Sequence, residues 1–172
     1  EEVLRELEEE KKNKEEKTNV MRVLEQKKIA YTAHTYPHEE GMAVDGVTVA
    51  KSMGFDPAIV FKTLVARGAS KQYYVFDVPV AENLDLKKAA KAVGEKSIEM
   101  IHQKELLPLT GYVHGGCSPV GIKKPFPTWI DETALLTDAF FCSAGRLGAQ
   151  IGIDPETLAG YIGAQFADLT EE

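Results

Sequence analysis

Val60-Phe61-Lys62-Thr63-Leu64-Val65-Ala66, then Gly68-Ala69-Ser70-Lys71, then a run from Gln72 to Val80 is the stretch around which the chain organises. The first seven residues alternate in strand fashion. Phe61, Thr63 and Val65 share one face, and Lys62, Leu64 and Ala66 the other. The glycine-led tetrapeptide reads as a hairpin loop, and Gln72 to Val80 as the returning strand. Lys62 therefore sits on a face with two apolar residues. It either snorkels to a sheet edge or projects a fixed cation into a cleft.

Outward from this hairpin, strands fill the centre and helices gather at both ends and in one insertion. Asn19 opens a short helix with Val20, Val23 and Leu24 on its buried side, and Ile29 to Tyr36 alternates as a strand that stops at Pro37. Asp45 to Met53 reads as a helix closed by Gly54, and Asp56-Pro57 as a capped helical turn leading into the hairpin. Asp85 caps a helix through Val93, with Leu86, Ala89, Ala90 and Val93 on one side and Gly94 at its end. Ile98 to Ile101 is a short strand and His102 to Leu107 a short helix. Tyr112 and Val113 lead as a strand into a glycine-rich loop. Thr128 to Asp131, Ala139 to Ser143 and Ala149 to Ile153 are further strands. Asp154-Pro155-Glu156 opens a last helix that Gly163 ends, before a short segment from Gln165 to Leu169. The pattern predicts an α+β fold: a single domain with a curved mixed β-sheet and flanking helices, not a regular βαβ repeat.

The 172 residues suffice for one domain with a full-sized core. No apolar run is long enough to span a bilayer, and no basic-then-apolar leader stands at the N-terminus. Cys117 and Cys142 are the only cysteines, without CxxC or CxxH spacing, so neither a zinc site nor a disulfide framework is expected. A reducing, cytoplasmic setting follows, with no membrane and no metal. The net charge of −7 argues against a broad basic face for DNA or RNA. Residues 1–17 carry eight Glu against four Lys and one Arg, and read as a charged helix or tail appended to a domain spanning 18–172.

Gly115-Gly116-Cys117-Ser118-Pro119-Val120-Gly121 extends neither a helix nor a central strand. It is either a tight connection or a stiff loop whose amides cradle a carboxyl, ester or phosphate oxygen. It is not a nucleophile elbow, which needs G-x-S-x-G, and no histidine follows Ser118 to complete a triad. Nor is it a phosphate-binding P-loop, since Ile122 follows Gly121. His114 and Cys117 lie too close in sequence for ordinary triad geometry. Gly145-Arg146-Leu147-Gly148 copies a KH-type clamp, but its flanks read as strands, which makes it a hairpin turn. His34 and His38 lack a third ligand nearby and read as surface residues.

The ordered set Val60-Phe61-Lys62-Thr63-Leu64, the glycine-rich heptapeptide, Pro127-Thr128-Trp129-Ile130-Asp131 and Ser143-Ala144-Gly145-Arg146 resembles the YbaK/EbsC family. His34-Thr35-Tyr36-Pro37-His38 and the helix Leu84 to Ala90 fit as well, and the likeness runs from about Thr18 to Asp168. These are free-standing aminoacyl-tRNA deacylases related to the editing domain of prolyl-tRNA synthetase. The resemblance implies an ester hydrolase acting on mischarged tRNA, above all cysteine on proline tRNA, with no cofactor. Cysteine and proline are close in volume, so one binding site separates them poorly and a second, hydrolytic site restores fidelity.

By the same resemblance Lys62 matches the essential lysine that holds the 3′-terminal nucleotide or its ester, with Thr63 beside it. Gly115, Gly116 and Ser118 match the loop against which the aminoacyl group rests, and Tyr36 and Asp131 match positions lining the pocket. In cysteine-specific relatives the substrate's own thiol attacks its ester, leaving the protein to orient it and stabilise the oxyanion. Two departures bear on specificity. Alanine-editing relatives carry a histidine in the segment matching Gly145, where this chain has none, and some relatives have an aromatic residue near Asp45. Lys62, Arg67, Lys71, Lys87, Lys88, Lys91, Lys123 and Lys124 are candidates for a local tRNA-facing patch, and prolyl-tRNA synthetase is the expected partner. The competing reading is a non-catalytic module of the same fold that holds an aminoacyl or nucleotide group for a synthetase.

Overall fold

The computed structural model describes Val3 and residues 17–172. The charged segment expected as an appendage therefore lies, but for Val3 and Lys17, outside the described residues. In chain order the elements are α1 (Asn19–Gln26), β1 (Thr32–Thr35), α2 (Gly46–Met53), a 3-10 turn (Pro57–Ile59), β2 (Phe61–Gly68), β3 (Tyr73–Pro79), α3 (Leu86–Val93), β4 (Ile98–Met100) and α4 (Gln103–Thr110). Then come β5 (Thr128–Asp131), a second 3-10 turn (Glu132–Leu136), β6 (Phe140–Ser143), β7 (Ala149–Ile153), α5 (Pro155–Ile162) and β8 (Gln165–Ala167).

The strands form a five-stranded mixed sheet, ordered β4-β2-β3-β5-β8, and a three-stranded antiparallel sheet, ordered β1-β7-β6. Where the sequence suggested one curved sheet there are two. A single parallel bridge between Val60 and Phe141 joins them, so the bend falls just before β2 begins. The β2–β3 hairpin is the centre of the larger sheet, with Thr63 opposite Asp77 and Val65 opposite Val75. β5 runs parallel to both β3 and β8.

The alternation read in β2 and β3 sorts residues onto two cores. Leu64, Ala66, Tyr74, Phe76 and Val78 pack with Ala89 and Ala90 of α3. Val65 and Val75 face the other way, against Leu106 of α4 and Cys117. The largest cluster joins α1 and α5 to the smaller sheet, with Leu24, Phe61, Ile130, Phe140, Ile151 and Leu158 buried together. Each such side chain contributes about 1.5–3 kcal/mol on leaving water.

Three local expectations shift. The cap of α1 is Thr18, not Asn19: its hydroxyl accepts from the Met21 amide at 3.2 Å, which puts Val20, Met21 and Leu24 on the core. Helix α4 runs past Leu107 to Thr110, because Pro108 forfeits only one bond, to a carbonyl of the exposed first turn. Tyr112 and Val113 are not a strand. The Thr110 hydroxyl accepts from the Tyr112 amide at 3.0 Å and does locally what a neighbouring strand would have done.

Candidate functional site

Where the two sheets bend apart, a cavity of about 320 Å3 opens. One wall is the start of β2, from Val60 to Leu64. The segment before α2 supplies Tyr36 and Asp45, the glycine-rich loop supplies His114, Gly115 and Cys117, and the ends of β6 and β7 supply Ser143 and Gln150.

Lys62 lines this cavity with its ammonium in no ion pair among the described residues. Burial pushes its pKa below the ordinary lysine value, and the charges of Asp45 and Glu82 pull it back up. Asp45 is held in place as the cap of α2, its carboxylate accepting from the Thr48 amide and hydroxyl, each at 3.2 Å. Of the two options for Lys62, the cleft-facing cation is the one realised. Tyr36 is 5% exposed, and its amide donates to the Gly148 carbonyl at 3.0 Å.

The loop is wedged against the β6–β7 turn, which explains its glycines. Gly115 has φ +86°, and a Cβ there would lie 2.9 Å from both Ala43 and Leu147. At Gly116 a Cβ would come within 3.1–3.2 Å of the Arg146-Leu147 backbone. The Gly116 amide donates to the Val113 carbonyl, whereas the Gly115 amide has no partner among the described residues. Ser118 is fully buried, and its hydroxyl accepts from the Val120 amide at 3.2 Å. Gly116 and Ser118 thus shape the loop from behind; Gly115 alone of the three reaches the cavity.

Asp131 is a correction of a different kind. It ends β5, caps the 3-10 turn and does not line the cavity. One carboxylate oxygen accepts from the Thr133 amide and hydroxyl, the other from the Leu169 amide at 2.9 Å. Asp131→Ala should therefore cost roughly 2–4 kcal/mol, a lost cap plus a stranded buried amide. Urea unfolding reads that loss. The folded fraction should keep its activity.

Sequence reasoning passed over two buried polar residues that sit in otherwise apolar strands, which was the available signal. Gln150, 6% exposed, lines the cavity with its Oε1 unpartnered. Asp77 is wholly buried on β3, accepts the Thr63 hydroxyl at 2.5 Å, and has Oδ2 unpartnered. Burial pushes the Asp77 carboxyl up to about 7, with the Thr63 hydrogen bond pulling the other way. A carboxyl whose native value exceeds its unfolded one favours the folded state in acid, and that advantage is lost as pH climbs from about 4 to about 7. Asp77→Asn should raise stability near pH 8 by about 2–4 kcal/mol and change little near pH 4, a contrast that urea midpoints measure.

Neither cysteine is a ready nucleophile. Burial pushes the Cys117 thiol up to about 12 and Cys142 well above the ordinary thiol value. His34 packs edge-on against Phe55 and Phe141, and His38 against Tyr36.

The cavity thus combines a lysine in no ion pair and an unpartnered amide oxygen among the described residues. Residues 38–161 match the model of the aminoacyl-tRNA editing domain. The chain belongs to the aminoacyl-tRNA editing family. Over 160 residues it is 42% identical to an Enterococcus faecalis protein provisionally named the Cys-tRNA(Pro)/Cys-tRNA(Cys) deacylase EbsC, covering 93% of this chain and 97% of that one. A crystal structure provisionally described as a trans-editing enzyme for prolyl tRNA synthetase superimposes with TM-score 0.72 at 30% identity, over 83% of this chain and 87% of its own. A structure from work on computational epitope grafting onto scaffold proteins gives TM-score 0.77 at 28% identity, over 89% and 95%. The α+β editing fold expected from the sequence is the one observed.

Proposed function

We propose that this editing domain hydrolyses the ester joining a mismatched amino acid to tRNA, with cysteine on proline tRNA as its principal substrate. The unpaired Lys62 ammonium at a cavity sized for one aminoacyl-ribose unit carries the reading. The names borne by the relatives support it.

Lys62 anchors the ester or the adjoining phosphate. Gln150 Oε1 accepts from the amino acid's α-ammonium, and the Gly115 amide donates to the carbonyl oxygen as it gains charge. The substrate thiol then attacks its own carbonyl carbon. The S–C bond forms, the bond to the ribose oxygen breaks, and the thiol's proton ends on that oxygen. The immediate products are a cyclic thioester and free tRNA; a water molecule then opens the thioester to cysteine, which completes the hydrolysis. The protein contributes orientation and charge stabilisation.

A cavity of this size reaches only the 3′ end, so the tRNA body must be read elsewhere. The lysine-rich patch is smaller than its sequence suggested. Arg67 is tied to Glu99 and Glu105, and Lys88 to Asp168 and the Thr170 carbonyl. Lys71, Lys87, Lys91, Lys123 and Lys124 remain outside ion pairs among the described residues. Weak, salt-sensitive tRNA binding follows, with selectivity supplied by prolyl-tRNA synthetase in the cytoplasm, where tRNA is charged. Release of labelled amino acid from a panel of mischarged tRNAs, with and without the synthetase, tests this. Added synthetase should sharpen the preference for proline tRNA, and tight, salt-insensitive, tRNA-selective binding by the protein alone would overturn it.

A further inference from the structure

Asp77 and Asp131 are both buried carboxyls on neighbouring strands, and they are treated differently. Asp131 has both oxygens engaged by an amide, a hydroxyl and a second amide, as a purely structural carboxylate should. Asp77 has one partner, the Thr63 hydroxyl, and an Oδ2 with none. Among the described residues no cation pairs with it. The ionisable groups that interact with it are the thiols of Cys117, from the glycine-rich loop, and Cys142, from β6, both kept protonated by burial. The costly arrangement lies one hydrogen bond behind a cavity-lining residue that adjoins Lys62.

A threonine hydroxyl has a single proton. While Asp77 is ionised it takes that proton, and Thr63 can offer the cavity only a lone pair. A neutral Asp77 can donate to Thr63 Oγ1 instead, which frees the hydroxyl proton to turn toward the cavity. An ester carbonyl on its way to an oxyanion needs a donor, not a lone pair.

We propose that Asp77 is a positioning residue for the editing reaction: through its cross-strand hydrogen bond it sets the direction of the Thr63 hydroxyl, and in its neutral form it makes Thr63 a donor to the ester oxygen. The inference rests on the deacylase reading above. It assigns the chemistry of the site to a pair, Thr63 and Asp77, of which only Thr63 lines the cavity. Asn at position 77 keeps the shape, donates permanently from its amide, and removes the titration.

The test is single-turnover deacylation of Cys-tRNA(Pro) by wild type, Asp77→Asn, Thr63→Val and Thr63→Ser across a pH series. The ratio of Asp77→Asn to wild type cancels ionisation of the substrate thiol. It should be near one at about pH 6 and rise roughly tenfold or more by about pH 8.5, as wild-type Asp77 ionises. Thr63→Val should be slow throughout, and Thr63→Ser should restore both the rate and the pH dependence. A ratio flat with pH, an Asp77→Asn enzyme slow at every pH, or full activity in Thr63→Val overturns the proposal. A carbon-13 titration of the Asp77 carboxyl separates this outcome from failure of the deacylase reading. Thr63→Val should shift its midpoint upward by losing the bond that favours the charged form, and an unmoved midpoint overturns the coupling even if no mischarged tRNA is cleaved.

Discussion

Lys62→Ala should lower deacylation of Cys-tRNA(Pro) by roughly 10²–10³-fold or more, the range seen when one preorganised electrostatic contact to a transition state is removed. Stability should barely change. Among the described residues the Lys62 ammonium has no ion pair to lose, and burial already depresses its pKa, so removing it relieves a desolvation cost. Lys62→Arg should not rescue the rate. A planar guanidinium does not replace a compact ammonium that must direct its charge at one ester oxygen. Quench-flow kinetics with matched circular dichroism spectra decide the matter. Near-normal hydrolysis by either variant would remove Lys62 from the mechanism.

Cysteinyl-tRNA should be cleaved at least about a hundredfold faster than seryl-tRNA, because a partly ionised thiol far outruns a hydroxyl as a nucleophile. The cavity supports this expectation by what its own groups cannot do. Cys117, the thiol within reach, is held protonated with its pKa at about 12. The Ser143 hydroxyl, which lines the cavity, accepts from the Gly145 amide, and no base is bonded to it among the described residues. In the Asp77→Asn enzyme, where position 77 does not titrate, the rate on cysteine should also climb with pH through the substrate thiol's range. Equal rates on the two esters would mean that an activated water attacks, and His114 would then be the first residue to examine.

Much of the architecture is legible in the sequence because it rests on local rules. The β2–β3 hairpin follows from alternation plus a glycine-led turn. The caps Asp45, Asp56, Asp85 and Asp154 each accept the amides their positions imply. What is not legible depends on long-range register. Whether the eight strands of the described residues make one sheet or two turns on the Val60–Phe141 bridge, a contact across about eighty residues of chain that no window of sequence contains. The site divides in the same way. Lys62, Thr63, Tyr36 and Gly115 reach the cavity, whereas Asp131 resembles a pocket carboxylate in sequence and is spent on Thr133 and Leu169. Gln150 and Asp77 were visible as polar residues inside apolar strands. Their unpartnered oxygens were not.

The segment from Asp168 to Glu171 ties distant parts of the fold together. The Leu169 amide donates to Asp131, the Leu169 carbonyl accepts from the Asp85 amide, Leu84 bridges Thr170, and the Lys88 ammonium reaches the Thr170 carbonyl. On the ribosome this has a consequence of timing. Strand β5 gains its outer neighbour only when β8 emerges, and α3, made some eighty residues earlier, gains its stitching only when residues 168–171 do. A nascent chain stalled before Gln165 should expose the flank of β5 and bind chaperones, and protection from protease should arrive in one late step. The flank of β5 and the packing of α3 are then completed together, when a segment some thirty-five residues beyond β5 joins them.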